Sequence, residues 1–359
     1  VVGDFLFASA LPISNSFGFS VMDTMALHAA LRNGTLSREK LSSLDHASCM
    51  EPNAAGNTLL HAAARYGRLN DVPPEVCSTE NLLRKNDSGY TPLHHAAMGD
   101  YLSEIPAELL VHDHLLTRSN SGYTVYHVAA SHGHLGDLPQ ELVTGDVITM
   151  RNDLGQNMLH EAAEEGTLDQ FPTQYITAEL LASTNASGET VLHVAALNHH
   201  LDQIPSEFIT AKSLMLQTRS GDTVLHAAAI ASNLRQVPNA FLVHDNMIVA
   251  SKSGFTVIHA AAETGQLDHI PSGNLTEDLL LFRNDTPLHA AAYEGHLNQI
   301  PAELLTEKTV LTRNYNGVTV IRTAVVWGYV AQLPAGFRPK PQGPVSRKLE
   351  KLGITRPPF

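Results

Sequence analysis

The sequence predicts an all-α solenoid of about ten 33-residue units, and two periodic markers and the composition predict it. Leu-His or a close variant, followed by two small residues, recurs at His28, His61, His94, His127, His160, His193, His226, His259 and His289. Each step is 33 residues except the last, which is 30. A second marker runs in phase: Pro73, Pro106, Pro139, Pro172, Pro205, Pro238, Pro271, Pro301 and Pro334. Only 16% of residues are charged and 6% aromatic, while 43% are hydrophobic. Sparse charge with abundant Ala and Leu suits closely packed helices. An array grows by adding units, so 359 residues do not here imply several separate cores.

Each element of a unit follows from its residue types. Thr before the Leu-His pair can cap a helix, and Pro at the first helical position costs no hydrogen bond. Leu and the small residues recur on one helical face, where Ala lets neighbouring helices approach closely. Gly after this run supplies a C-terminal stop. The second half reads Leu297-Asn298-Gln299-Ile300-Pro301-Ala302-Glu303-Leu304-Leu305-Thr306. A proline inside a helix costs about 3 kcal/mol, so this recurrent proline must sit at a boundary. We read it as the first residue of a short helix. Thr then caps one more turn, as in Thr276-Glu277-Asp278-Leu279-Leu280, where the acids suit a helix N-terminus. Each unit therefore carries one longer and two short helices. The ninth unit, Arg283-Asn284-Asp285-Thr286, lacks the turn glycine and should have a clipped turn with its helices still in register.

The fullest unit, Thr286-Pro287-Leu288-His289-Ala290-Ala291-Ala292-Tyr293-Glu294-Gly295-His296-Leu297, resembles the ankyrin repeat, with its 33-residue period and Thr-Pro-Leu-His core. Thr91-Pro92-Leu93-His94 matches nearly as well. The resemblance covers roughly 24–335 and is specific in the first half of each unit; the Ile-Pro second half departs from it. It implies that His61, His94, His127, His160, His193, His226, His259 and His289 form a structural ladder bonded to backbone and neighbouring turns. It also implies a concave groove lined by the turn before each Thr and by the end of each first helix.

The remaining segments read as termini. Residues 1–23 are apolar and Ser-rich without a basic n-region, and form either an N-terminal cap or a leader. Glu39-Lys40 replaces Ile-Pro in the first unit and Arg322 replaces His in the tenth, as capping repeats require. Residues 336–359 are a basic, Pro-rich tail.

Several chemistries are disfavoured. A formal net charge of −13 argues against nucleic acid and against an anionic membrane surface. No apolar run approaches the roughly 18 residues that span a bilayer. Cys49 and Cys77 are too few for a disulfide framework. That points to an intracellular compartment, with a secreted effector as the alternative. There is no nucleophile elbow, P-loop or dinucleotide fingerprint. Stacked histidines one repeat apart cannot converge on one metal at about 2 Å, and His132, His134, His199 and His200 sit at helix-to-turn junctions. We expect no enzyme activity, metal or cofactor.

What varies between units is free for function. In the turns and at the ends of the first helices these positions hold Tyr90, Tyr123, Phe255, Tyr293, Met98 and Ile230. Large aromatics are poor turn formers and read as binding anchors. Glu161, Glu164, Glu165 and Glu189 make the middle units acidic and suited to a basic partner segment. The expectation is a monomeric, non-enzymatic scaffold that binds another protein. The alternative is a targeting module of a larger effector or enzyme whose catalytic part lies outside this chain.

Overall fold

A computed structural model of the chain describes residues 24–283 and 285–338. The cap or leader expected over 1–23, Asn284 of the clipped turn, and the tail beyond Arg338 lie outside the described residues. The chain divides at an Ile-Pro step into two compact units, Val1–Ile204 and Pro205–Phe359. Both are α-helical; among the described residues the β-pairings are isolated bridges such as Thr184–Thr190 and Gln217–Thr223. We number the longer helix of each repeat. The first unit holds α1 (Thr24–Arg32), α2 (Leu59–Arg65), α3 (Pro92–Gly99), α4 (Val125–Ser131), α5 (Met158–Glu165) and α6 (Val191–Leu197). The second holds α7 (Val224–Ile230), α8 (Val257–Glu263), α9 (Pro287–Glu294) and α10 (Val320–Val326).

Helices of two turns are marginal alone, so packing and caps must hold them. Within each unit consecutive long helices pack on one another. The contact runs through alanine: Ala63, Ala96, Ala129, Ala162 and Ala195, two residues after each histidine, have no exposed surface. A larger side chain there would overpack the interface by about 1–3 kcal/mol. The starts are capped as the sequence predicts. Thr91 is extended (φ −100°, ψ 167°), Pro92 follows it, and its hydroxyl accepts from the His94 N–H at 3.5 Å. Helix α5 stops at Gly166, where φ is +77° and a Cβ would lie 2.5 Å from the His200 ring. Both the backbone and the neighbouring repeat demand glycine there.

The last carbonyls of a helix lack partners of their own. Here the next repeat supplies them. His134 Nδ1 donates to the Ala97 carbonyl (2.6 Å), Thr167 Oγ1 to Ala130 (2.6 Å) and, in the second unit, His296 Nδ1 to Ala262 (2.9 Å). A glutamine adds a clamp. Gln203 Nε2 donates to the Gly166 carbonyl (2.7 Å) while its Oε1 accepts from the Leu168 N–H (3.0 Å). Gln299 repeats this on Gly265 and Leu267.

The second half of each repeat is more segmented than expected. The proline is not the first helical residue. Pro139 keeps an extended ψ of 129° and stands as the cap of a 3-10 turn, Gln140–Leu142, whose last N–H bonds the proline carbonyl at 2.9 Å. A further 3-10 turn, Leu135–Asp137, precedes it. The residue between, Leu138, is extended, as the position before proline requires. The Thr-capped turn is present: Thr144 accepts from the Val147 N–H and opens Gly145–Ile148. Leu135, Leu138 and Val147 carry this chain of short turns into the core.

The histidines tie helix, cap and next repeat together. The Thr58 N–H donates to Nδ1 of His61 (3.1 Å), and Nε2 donates to the Tyr90 carbonyl of the next turn (3.1 Å). His94 does the same between Thr91 and Tyr123, and His226 between Thr223 and Phe255. His259 reaches the Asp285 carbonyl at 2.6 Å, so the register is kept across the short ninth turn. His127 instead bonds the Met150 carbonyl, upstream of the turn. Backbone turns also stack directly, with Asn120 N–H on Ser88 and Ala186 N–H on Leu154.

Two expectations follow. Gln203→Ala removes both ends of an inter-repeat clamp and leaves a backbone carbonyl and N–H to find water; urea denaturation should show a loss of about 1–2 kcal/mol. Burial holds His61, His94, His127 and His160 at about 4, only partly offset by their carbonyl bonds. The unfolded rings protonate near 6.5, so unfolding takes up protons. Stability is complete above pH 6.5 and falls as pH drops toward 4. Urea midpoints at pH 7 and pH 5, where most carboxylates remain ionised, should already differ clearly.

Candidate functional site: two clusters on the turn and helix surface

In the first unit, the turn before α5 is shaped by Asn152. Its Oδ1 accepts from the Leu154 and Gln156 N–H groups, which frees its Nδ2 to point inward. That Nδ2 donates to Glu161 Oε1 at 2.7 Å. Gln156 Nε2 donates to Glu164 Oε2 at 3.1 Å. Glu161 follows the ladder histidine, where the other ladder repeats carry Ala, Val or, once, His95, and is only 5% exposed. Its carboxyl is pushed up to about 8 by burial and then by the Glu164 charge, against a lowering hydrogen bond from Tyr123. The Tyr123 phenol is raised in turn, by burial and then by Glu161 and Glu164. The Tyr90 phenol is also raised, by burial first and, after a lowering bond with Ser119, by the nearby Glu161 charge. Tyr90, Tyr123, Glu161 and Glu164 thus share one patch.

The other nominated residues are less gathered. Glu165 is exposed at the end of α5. The Glu189 carboxylate accepts from Asn185 Nδ2 (2.8 Å) and its carbonyl from His160. Met98 is half-buried in the last turn of α3. Ile230, in the second unit, is 48% exposed at the end of α7. Tyr90 and Tyr123 stand edge-on to the histidines of their own repeats, with centroids 5.3 and 6.1 Å apart. Both tyrosines are partly buried, packed against the ladder with a minor share of their surface open.

In the second unit Phe255 and Tyr293 line one open groove of about 940 Å³ between turns and helix ends. Sequence reasoning missed two of its aromatics. Trp327 lies 4.3 Å from Tyr293 between ring centroids, and Tyr315 is 72% exposed at a turn tip. The signal for Trp327 was available: it occupies the variable column of Glu294, one period further on.

His132 Nδ1 bonds the Val128 carbonyl and His134 Nδ1 the Ala97 carbonyl, with the rings 6.2 Å apart. Among the described residues no group of three or more His, Cys, Asp or Glu is placed to hold a metal. No helix among them is long and apolar enough to cross a membrane.

Each ladder repeat is built on a Thr- or Asn-capped two-turn helix whose histidine closes its own cap. In this the repeats resemble ankyrin repeats. No family model matches the chain, and no curated protein does. Solved structures do. One is the complex of the predatory endopeptidase Bd0816 from Bdellovibrio bacteriovorus with the immunity protein Bd3460, at 28% identity over 51% of this chain and 94% of that one, with a TM-score of 0.38. Another is the ankyrin repeat domain of Bcl-3, a member of the IkappaB family, at 22% identity over 57% and 94%, with a TM-score of 0.40. At those scores neither likeness speaks to a partner or an activity.

The buried carboxyl gives a test of this surface. Because the folded Glu161 pKa lies above the unfolded value, its contribution is favourable below about pH 4.5 and is lost as pH rises toward 8. Glu161→Gln keeps the Asn152 bond without the charge. At pH 8 it should raise the unfolding temperature by roughly 2–4 °C per kcal/mol recovered, and at pH 4 by almost nothing.

Proposed function

We propose that this chain is a non-enzymatic protein-interaction module whose first unit binds a basic segment of a partner on the patch of Tyr90, Tyr123, Glu161, Glu164 and Glu165. One observation carries the reading: a carboxyl is held inside the patch at a cost to the fold. Its neighbours are the Tyr123 phenol and two further acids, with no cation paired to Glu161, Glu164 or Glu165 among the described ion pairs. An incoming Lys or Arg relieves that cost by pairing with the buried carboxylate, and the tyrosine faces cover its aliphatic stem. Tyrosines with a fixed edge on the histidine ladder lose little conformational freedom on binding. Ankyrin repeats hold their conserved-type residues inward and leave this surface to vary, which fits recognition better than catalysis.

The test uses immobilised peptides of graded charge and the intact chain. Lys- and Arg-containing peptides should be retained over acidic or neutral ones of equal length. Glu164→Lys with Glu165→Lys should weaken that retention tenfold or more, and so should raising the salt from about 0.1 to 1 M, which shortens the screening length from about 10 to 3 Å. Equal retention of all peptides, or indifference to the charge reversal, would sink the reading.

A further inference from the structure

The groove of the second unit differs in kind from the acidic patch of the first. Four aromatic rings face it: Phe255, Tyr293, Tyr315 and Trp327. Three acids accompany them: Glu263, Asp285 and Glu294. The Glu263 carboxyl is held above its usual range by partial burial, then by the Glu294 and Asp285 charges. The Asp285 carboxylate accepts a long bond from Asn314 Nδ2 at 3.5 Å. One cation, Arg283, also lines the groove, and the Phe282 ring lies beneath its guanidinium at 5.6 Å. No described ion pair reaches Glu263 or Glu294. The groove therefore presents partly exposed aromatic rings together with three acids against one cation. Its size is at the upper end of clefts that enclose ligands, which run from about 300 to 1,000 Å³.

Aromatic grooves with acids beside them fit a specific peptide chemistry. Proline rings stack on Tyr and Trp faces, proline-rich segments are already extended and lose little entropy on docking, and flanking Lys or Arg pair with the acids. This chain carries such a segment. Pro339-Lys340-Pro341-Gln342-Gly343-Pro344 spaces Pro341 and Pro344 three apart, and Arg347 and Lys348 follow. Between 339 and 359 there are five cations (Lys340, Arg347, Lys348, Lys351 and Arg356) against one anion, Glu350, in a chain of net charge −13. The segment follows directly on Arg338, which is tied back to its own repeat by bonds to the Leu333 and Ala331 carbonyls. That repeat supplies Val318, Thr323 and Trp327 to the groove. Helices pack about 10 Å apart, so the three repeats of the groove span about 30 Å. Twenty-one residues reach at most roughly 70 Å, enough to return across it.

We propose that residues 339–348 of this chain dock in the Phe255–Tyr293–Trp327 groove of the second unit, with prolines on the rings and Lys340, Arg347 and Lys348 toward Glu263, Asp285 and Glu294. The tether sets an effective concentration of order mM, so weak docking suffices to fill the groove in cis. Any outside ligand of the same chemistry then competes with the tail. This inference concerns a surface separate from the acidic patch and stands or falls without it.

Trp327 is the only tryptophan in the sequence, so its fluorescence reports on this groove alone. Acrylamide quenching is compared for the whole chain, a chain ended at Arg338, and the ended chain titrated into the mM range with a synthetic 339–348 peptide. Truncation should expose Trp327 to quencher. The peptide should restore protection saturably, and a peptide with Pro341→Ala and Pro344→Ala should not. In the whole chain, Glu263→Lys with Glu294→Lys should abolish the tail-dependent protection while circular dichroism and the unfolding midpoint stay unchanged. Should that pair disturb the fold, Tyr315→Ala, at a 72% exposed side chain, gives the same readout. Identical quenching with and without the tail and no response to the peptide overturns the proposal. Protection that grows with protein concentration overturns docking in cis, because a second copy's tail would then be the occupant. Failure of the peptide-retention test on the first unit leaves these outcomes untouched.

Discussion

The ladder histidines His61, His94, His127 and His226 each satisfy two demands at once, and their repeats are arranged around that fact. Nδ1 accepts from the N–H of its own cap residue, so it carries no proton; Nε2 does, and donates it to a carbonyl further along the chain. Only a neutral imidazole in one tautomer meets both demands. The ring joins a cap to a turn about 29 residues away, where a hydroxyl or amide would be too short. With that bond in place the two-turn helix has a fixed start, the next turn has a fixed height, and Ala63, Ala96 and Ala129 come into the contact that only a methyl group fits. A 33-residue period is the sequence-level consequence of one ring's reach.

Helix starts are made within a repeat, but helix ends are completed by the next. His134, Thr167 and His296 cap carbonyls of the preceding long helix, and Gln203 and Gln299 clamp the loop behind it. One repeat alone would leave those groups bare. Neighbouring repeats within a unit are coupled in this way, and residues of quite different chemistry serve one column because imidazole, hydroxyl and amide can all donate to a carbonyl about 2.6–3 Å away.

These facts also say what was readable in the sequence. The period, the Thr caps, the alanine face and the glycine stops were legible because each is a local demand met by one residue type. Two things were not. The proline sits between two 3-10 turns rather than at the head of a helix: proline fixes its own φ but not its ψ, and ψ near 130° was not written in the residue type. The capping column before the buried Leu was invisible because its members differ in type while sharing one hydrogen bond. The site was half legible. Tyr123 and Glu161 stood out as variable, but their meeting depended on Asn152 turning its amide inward, which a sequence pattern does not specify.

The same division explains where function can lie. Residues that hold the stack are committed: a ladder imidazole has no free nitrogen to coordinate or transfer a proton, and burial holds it neutral. Chemistry is left to the turn tips and helix ends, where side chains from consecutive repeats meet at the spacing of the stack. That spacing brings large rings and carboxyls side by side. Such a surface is well suited to reading an extended chain, whose own residues advance about 3.3 Å at a time and can place successive side chains against successive repeats. On the readings proposed above, the buried Glu161 in one unit and the Trp327 groove in the other serve that task in two ways, one selecting for charge and the other for ring stacking with charge beside it.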